Sequence, residues 1–221
     1  VCISEDQRSH FEGLFGRPAR TAYNGCDTSF YKPLNIPRSG RFLFLARFSK
    51  IKGALLAIQA CKAAGVGLDL IGDTSITNEP EYFRECQSLC DGEQIRMIGG
   101  VSRGETVWWY SQAHALLHPN KIFREPFGLA PVEAMLCGCP VIAFDYGAMR
   151  ETVGGRGGVL VNSDEQFFEW VSKLHHNPDP LGSVVTDKLR QDVREHASRF
   201  SVEAMCQKYE ELAIEALQGG W

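Results

Sequence analysis

From Arg41 onward, short continuous apolar runs alternate with segments whose apolar residues recur every three or four positions. Arg41–Arg47 (RFLFLAR), Gly67–Gly72 (GLDLIG), Gln94–Ile98, Ala115–His118, Pro140–Phe144 (PVIAF) and Gly158–Val161 (GVLV) read as strands. Between and after them, Gly53–Ala64, Pro80–Cys90, Ser102 to about Ala113, Phe127–Cys137 and Asp164 to about His176 read as helices. Ser102 with Glu105 three residues on is a capping box, and Asp164 is the expected cap of its own helix. Pro178 and Pro180 break the chain before a helix from about Ser183 to Arg199, and Ser201 caps a last one to Leu217. Buried, non-alternating strands separated by helices predict a parallel sheet covered on both faces. With right-handed crossovers, the expected fold is α/β: a doubly wound, Rossmann-like parallel sheet of about six strands, with ligands at the carboxyl ends of the strands.

Residues 1–40 do not fit this alternation. Val1–Ser4 resembles the end of a strand, Gln7–Phe15 a helix closed by Gly16, Asn24-Gly25 a turn and Pro33–Pro37 a linker. A lone strand has unpaired backbone groups on both edges and needs a sheet to join. The expected organisation is therefore the end of a preceding N-terminal domain plus a linker at 1–40, a ligand-binding domain at 41–200 and a C-terminal helix at 201–221. The chain starts at Val1 without Met or a signal-peptide pattern, which suggests a piece of something longer.

Composition narrows the class. The 221 residues are 44% hydrophobic and 23% charged, an ordinary globular balance that can build a core without staples. The net charge of −4 argues against a nucleic-acid binder, which needs clustered Lys and Arg. No apolar run approaches the ~18–20 residues of a membrane span. Of the eight cysteines, Cys61, Cys86, Cys137 and Cys206 sit in apolar or amphipathic stretches, where Cys acts as a small hydrophobe. The pairs Cys86/Cys90 and Cys137/Cys139 lack a second Cys/His pair at zinc-like separation, so no metal site is expected. Free thiols suit a reducing cytosol, and the expected location is cytoplasmic.

The sharpest chemical feature is Glu125-Pro126-Phe127-Gly128-Leu129-Ala130-Pro131-Val132-Glu133, two carboxylates eight apart around a glycine where a loop becomes a helix. Pro131 is tolerated in a first turn, whose amides have no intrahelical partner. Backbone N–H groups at Phe127, Gly128 and Leu129, with the helix dipole, suit phosphate oxygens, and carboxylates at Glu125 and Glu133 suit vicinal hydroxyls. The bland alternative makes Glu125 a surface charge and Glu133 a dipole partner. A second feature is Arg47 with Lys52 in the loop after the first strand, where two cations could clamp a diphosphate, Arg as a fork and Lys as a point charge. Alone, that loop also reads as a solvated basic segment containing Lys50.

Taken together, RFSKIKG, EPFGLAPVE, AMLCGCPVIAF, GAMRETV and GGVLV resemble the C-terminal, donor-binding half of a GT-B retaining glycosyltransferase of family 4 (glycosyl transferases group 1). The opening, from VCISED to YNGCD, resembles the last strand of that family's N-terminal domain and its linker, so the likeness covers nearly the whole chain. The resemblance implies that Arg47 and Lys52 hold the donor diphosphate and stabilise the leaving group, and that Glu125 contacts the donor sugar. It implies that Phe127, Gly128 and Leu129 cradle phosphate and sugar, that Glu133 holds the ribose hydroxyls, and that Arg96, Met97 and Ile98 edge the base pocket. His118-Pro119-Asn120 departs mildly from the family's usual Pro-Ser.

On this resemblance the donor is a nucleotide-diphosphate sugar, no cofactor or metal is needed, and configuration is retained. The acceptor, whether a sugar, a glycan or a lipid-linked molecule, is chosen mainly by the absent N-terminal domain, to which the helix from Ser201 would cross back. Where that acceptor is lipid-linked, the full-length parent would work at a membrane surface. The isolated chain is expected to bind a nucleotide sugar weakly and to transfer little or nothing. The alternative is a non-catalytic nucleotide-sugar-binding or partner module of the same fold. A dinucleotide-dependent oxidoreductase is disfavoured because the loop after the first strand reads Arg47-Phe48-Ser49-Lys50, without a GxGxxG turn.

Other features take plainer readings. His114 and His118 are four apart on a strand-like stretch, which does not make a helical metal pair, and Trp108, Trp109 and Tyr110 read as packing residues. His175 and His176 complement a helix dipole, and Glu151 is expected to order a loop rather than to catalyse.

Overall fold

The computed structural model describes residues 1–74, 79–176 and 187–219. The elements in chain order are α1 (Glu5–Phe15), β1 (Phe42–Leu45), α2 (Ala54–Ala64), β2 (Leu68–Ile71), α3 (Pro80–Ser88), β3 (Ile95–Gly99), α4 (Arg103–Gln112), β4 (Leu116–His118), α5 (Leu129–Leu136), β5 (Val141–Phe144), α6 (Met149–Thr152), β6 (Gly158–Val161), α7 (Asp164–His176), α8 (Asp187–Ser198) and α9 (Val202–Leu217). Each of the six strands expected from Arg41 onward is found, while the strand end read at Val1–Ser4 is only a single bridge at Cys2; the sheet runs β3-β2-β1-β4-β5-β6 with every neighbouring pair parallel. The order reverses between β1 and β4, which opens a crevice at their carboxyl ends.

Side chains alternate across the sheet and feed two cores. Phe42, Phe44, Leu68, Leu70 and Ile95 pack with Ile58 and Cys61 of α2 and with Phe167 and Val171 of α7. On the other face, Leu43, Leu116, Val141 and Ala143 pack with Tyr110 of α4, Met135 of α5 and Val193 of α8. All eight cysteines are free thiols, and burial pushes that of Cys86 up to about 12, as for an inert packing residue.

Two expectations about elements need correction, and two short elements go beyond them. The helix read as Phe127–Cys137 starts at Leu129, because Gly128 has φ +87° and cannot extend it backwards. Ser163, not Asp164, caps α7: its hydroxyl accepts the Gln166 amide at 3.3 Å, while Asp164 is the first helical residue and pairs with Lys121. A 3-10 turn at Lys50–Lys52 and the one-turn helix α6 were not expected, being too short for a periodic signal. Pro178, Pro180 and the start expected near Ser183 lie outside the described residues.

The first forty residues rest on the sheet domain. Ser4 caps α1 by accepting the Gln7 amide at 3.0 Å, and Cys2 pairs in parallel with Thr21. Cys26 pairs with Ser201 at the start of α9, Arg20 meets Glu215 at 2.6 Å, and Arg194 of α8 donates to the carbonyls of Tyr31 at 2.8 Å and Thr28 at 3.0 Å. Glu151 orders this junction: its carboxylate accepts the amides of Glu5 at 2.8 Å and Asp6 at 2.6 Å, at the dipole-positive end of α1, and the Tyr23 hydroxyl at 2.8 Å.

Candidate functional site

The crevice between β1 and β4 holds a cleft of about 380 Å³ whose lining includes Arg47, Lys52, His118, Glu125, Phe127 and Gly128. Its first wall is the loop after β1. Phe48 is fully buried, 6.1 Å from the ring of Phe44 and 5.2 Å from that of Phe83, and so draws the loop onto the core. The Ser49 carbonyl then accepts the Lys52 amide at 3.0 Å, and the resulting turn carries the Lys52 side chain back to the crevice. Arg47 stays exposed at the rim.

The second wall is built after β4. The Asn120 side-chain oxygen accepts the Phe123 amide at 3.0 Å, folding a turn ahead of Glu125. The Glu125 carbonyl accepts the Ala148 amide at 2.9 Å, which ties this loop to the start of α6. Phe127 anchors the next step in the core, edge-on to Phe200 at 5.4 Å. Gly128 has φ +87°, so the turn itself requires glycine, and the Met149 methyl carbon occupies the space 2.4 Å from where a Cβ would stand. Helix α5 follows with no side-chain cap, leaving its first-turn amides and dipole directed to the cleft.

The polar centre of the cleft is an ion pair. Lys52 Nζ lies 2.5 Å from Glu125 Oε2, with the two side chains 15% and 14% exposed. Asn120 Nδ2 donates to the same oxygen at 3.3 Å. His118 is buried beside them, and burial pulls its pKa down to about 4 against the attraction of Glu125. Its imidazole is therefore neutral at physiological pH, and its Nε2 stands 3.9 Å from Glu125 Oε2, beyond hydrogen-bonding distance.

The expected site residues separate into three groups. Arg47, Lys52, Glu125, Phe127, Gly128 and Leu129 come together in the cleft. Glu133 lies one turn into α5 and does not line it. Its carboxylate accepts the Tyr110 hydroxyl at 3.3 Å and a hydrogen bond from Tyr31 of the linker. The trio Arg96, Met97 and Ile98 is divided by strand alternation. Met97 packs against the core, and Arg96 pairs with buried Asp69 at 2.7 Å, an aspartate shared with Arg41 at the start of β1. The Arg96 guanidinium is thus committed toward the opposite edge of the sheet. Ile98, 39% exposed near the carboxyl end of β3, is the member of the trio presented at the ligand edge.

Sequence reasoning named His118, Asn120 and Tyr110 without giving them a site role, and it passed over Tyr31. The available signal was weak: two polar residues, His118 and Asn120, closing an apolar strand instead of a further hydrophobe.

Burial raises the pKa of Glu133 more than its tyrosine partners lower it. The native state then holds a proton more tightly than the unfolded chain, so ionising Glu133 costs stability as pH rises through and above the carboxylate range. Glu133→Gln is expected to raise the melting temperature at pH 7 and to lose that gain as the pH falls toward 4. Melting curves at the two pH values check this, and a gain independent of pH would contradict it.

A parallel sheet in this order, with an ion pair and an uncapped helix start at its switch point, defines a ligand-binding α/β domain of the GT-B kind. The chain belongs to the glycosyl transferases group 1 family, whose model matches residues 29–200. It is 26% identical over 240 residues to D-inositol 3-phosphate glycosyltransferase 1 of Catenulispora acidiphila, covering 97% of this chain and 56% of that protein. It is 28% identical over 176 residues to the alpha-1,3/1,6-mannosyltransferase ALG2 of Eremothecium gossypii, covering 63% of this chain and 33% of that one. Anabaena HepE, solved in complex with UDP, superposes with a TM-score of 0.82 at 22% identity over 97% of this chain and 63% of its own. The chain spans about half the length of the curated relatives it matches, 56% and 54% in two cases. No helix among the described residues is long and apolar enough to cross a membrane.

Proposed function

We propose that this chain is the donor-binding half of a retaining glycosyltransferase that uses a nucleotide-diphosphate sugar. The observation that carries this reading is the Lys52–Glu125 pair, 2.5 Å apart at the sheet's switch point and facing the uncapped start of α5. Breaking a sugar–phosphate bond builds positive charge on the sugar ring and negative charge on the departing diphosphate. Lys52 and Arg47, with the first-turn amides of α5, supply preorganised positive charge for the second of these without a metal or other cofactor. Glu125 keeps Lys52 in place and offers acceptor positions to sugar hydroxyls. Glu133, one turn into α5 and outside the cleft lining, takes the ribose hydroxyls in place of its tyrosine donors. The solved HepE complexes hold UDP and UDP-glucose, which supports a nucleotide-sugar donor for this fold. Residues 1–40 join this half to an N-terminal domain that supplies the acceptor site.

Calorimetric titration of UDP, GDP and ADP into the chain tests the reading, with Lys52→Ala and Glu133→Ala in parallel. One of the three is expected to bind preferentially. Each variant is expected to weaken it by about 10–100-fold, the ~1.5–3 kcal/mol of a hydrogen bond to a charged group. No binding to any of the three, or binding unchanged in both variants, would overturn the assignment.

A further inference from the structure

Among the polar groups of the cleft, His118 has no role in the scheme above. It closes β4, is 6% exposed and lines the cleft with Lys52 and Glu125. Its Nε2 is buried and reaches no protein hydrogen-bond partner among the described residues. A buried ring nitrogen left unpaired costs free energy unless a ligand satisfies it. The neighbouring groups narrow what that ligand atom is. Glu125 Oε2, 3.9 Å away, already accepts from Lys52 at 2.5 Å and Asn120 at 3.3 Å, so the carboxylate is fixed in place.

A single oxygen about 2.8 Å from each of two atoms spans a gap of that size. Next to a carboxylate that oxygen must donate its proton, so toward the neutral imidazole it must accept, from the tautomer that carries its proton on Nε2. A hydroxyl does both, whereas a phosphate oxygen only accepts and would be repelled by Glu125. We infer that His118 is a donor-sugar contact: its Nε2 hydrogen-bonds a hydroxyl of the transferred sugar, which at the same time donates to Glu125. This assignment rests on the donor-site reading above. It adds a neutral group that discriminates between the sugar conjugate and the bare nucleotide, beside the charged groups that bind both.

The experiment compares binding of the preferred nucleoside diphosphate with binding of its glucose and mannose conjugates, in the unaltered chain, His118→Leu and His118→Gln. Leucine is expected to lower affinity for the favoured conjugate about tenfold, as for a site that loses its hydroxyl partner, and to leave the diphosphate affinity unchanged. Glutamine, which again offers a polar tip, is expected to restore most of the loss. If leucine weakens conjugate and diphosphate equally, or weakens neither, the sugar contact is wrong while the donor site stands. If the unaltered chain binds none of the nucleotides, the donor-site reading fails and this assignment fails with it. Melting curves of both variants separate a lost contact from a lost fold.

Discussion

Replacing Asp69 by alanine is expected to destabilise the folded chain by about 3–5 kcal/mol, the usual cost of removing one member of a buried charge network. Asp69 sits on β2 with its side chain 3% exposed and receives two guanidinium groups: Arg41 Nε at 2.9 Å, and Arg96 Nε and Nη2 at 2.7 Å and 2.8 Å. Without the carboxylate, Arg41 would keep its bonds to the carbonyls of Leu68, Glu93 and Gln94 but lose its counter-charge in a largely buried position. The network staples the starts of β1, β2 and β3, so its loss should be read across the whole sheet. Chemical denaturation followed by circular dichroism measures this directly. A midpoint equivalent to less than about 1 kcal/mol of lost stability would mean that the pair is screened like an ordinary surface bridge. Because the network lies away from the cleft, nucleotide affinity at a temperature where the variant is folded is expected to be unaltered.

Gly147→Ala is expected to disable the site and weaken the fold together. Gly147 has φ +64°, and a Cβ there would lie 2.6 Å from the Glu125 carbonyl oxygen and 2.7 Å from its amide nitrogen. The backbone conformation alone costs an L-residue about 1–2 kcal/mol, and overpacking against backbone adds about 1–3 kcal/mol. The chain can relieve that clash by moving Glu125 away from Lys52 and Asn120, or by giving up the Ala148-to-Glu125 hydrogen bond. Denaturation should therefore show a loss of about 3 kcal/mol. Nucleotide binding should fall even under conditions where the variant is folded. Normal affinity in a folded Gly147→Ala chain would show that Glu125 tolerates displacement, and would remove the buttress from the account of the site.

The six strands were readable because strands buried on both faces are apolar at most positions, with Asp69, Arg96 and His118 as polar exceptions, a signal that survives without knowledge of neighbours. The E-P-F-G loop was readable for a related reason: proline, glycine and paired carboxylates carry their backbone and charge preferences wherever they stand. Arg96 shows where such reading ends. The family resemblance put Arg96 and Met97 together at the pocket edge, yet alternation sends Met97 into the core and Arg96 to Asp69, 27 positions earlier in the chain. Glu133 differs again. The spacing placed it one turn into the helix, but its tyrosine partners come from the linker and from α4.

Local pattern, then, was enough for the order of strands and helices, the doubly wound class and the loops that bear charge, since each depends on residues within a few positions of one another. The site itself depends on β1 and β4 lying side by side, which brings Lys52 to within 2.5 Å of a glutamate 73 positions away. The same adjacency buries His118 beside that pair and strips its imidazole of charge. Burial and partnership between distant residues come from packing, and no spacing along the chain encodes them.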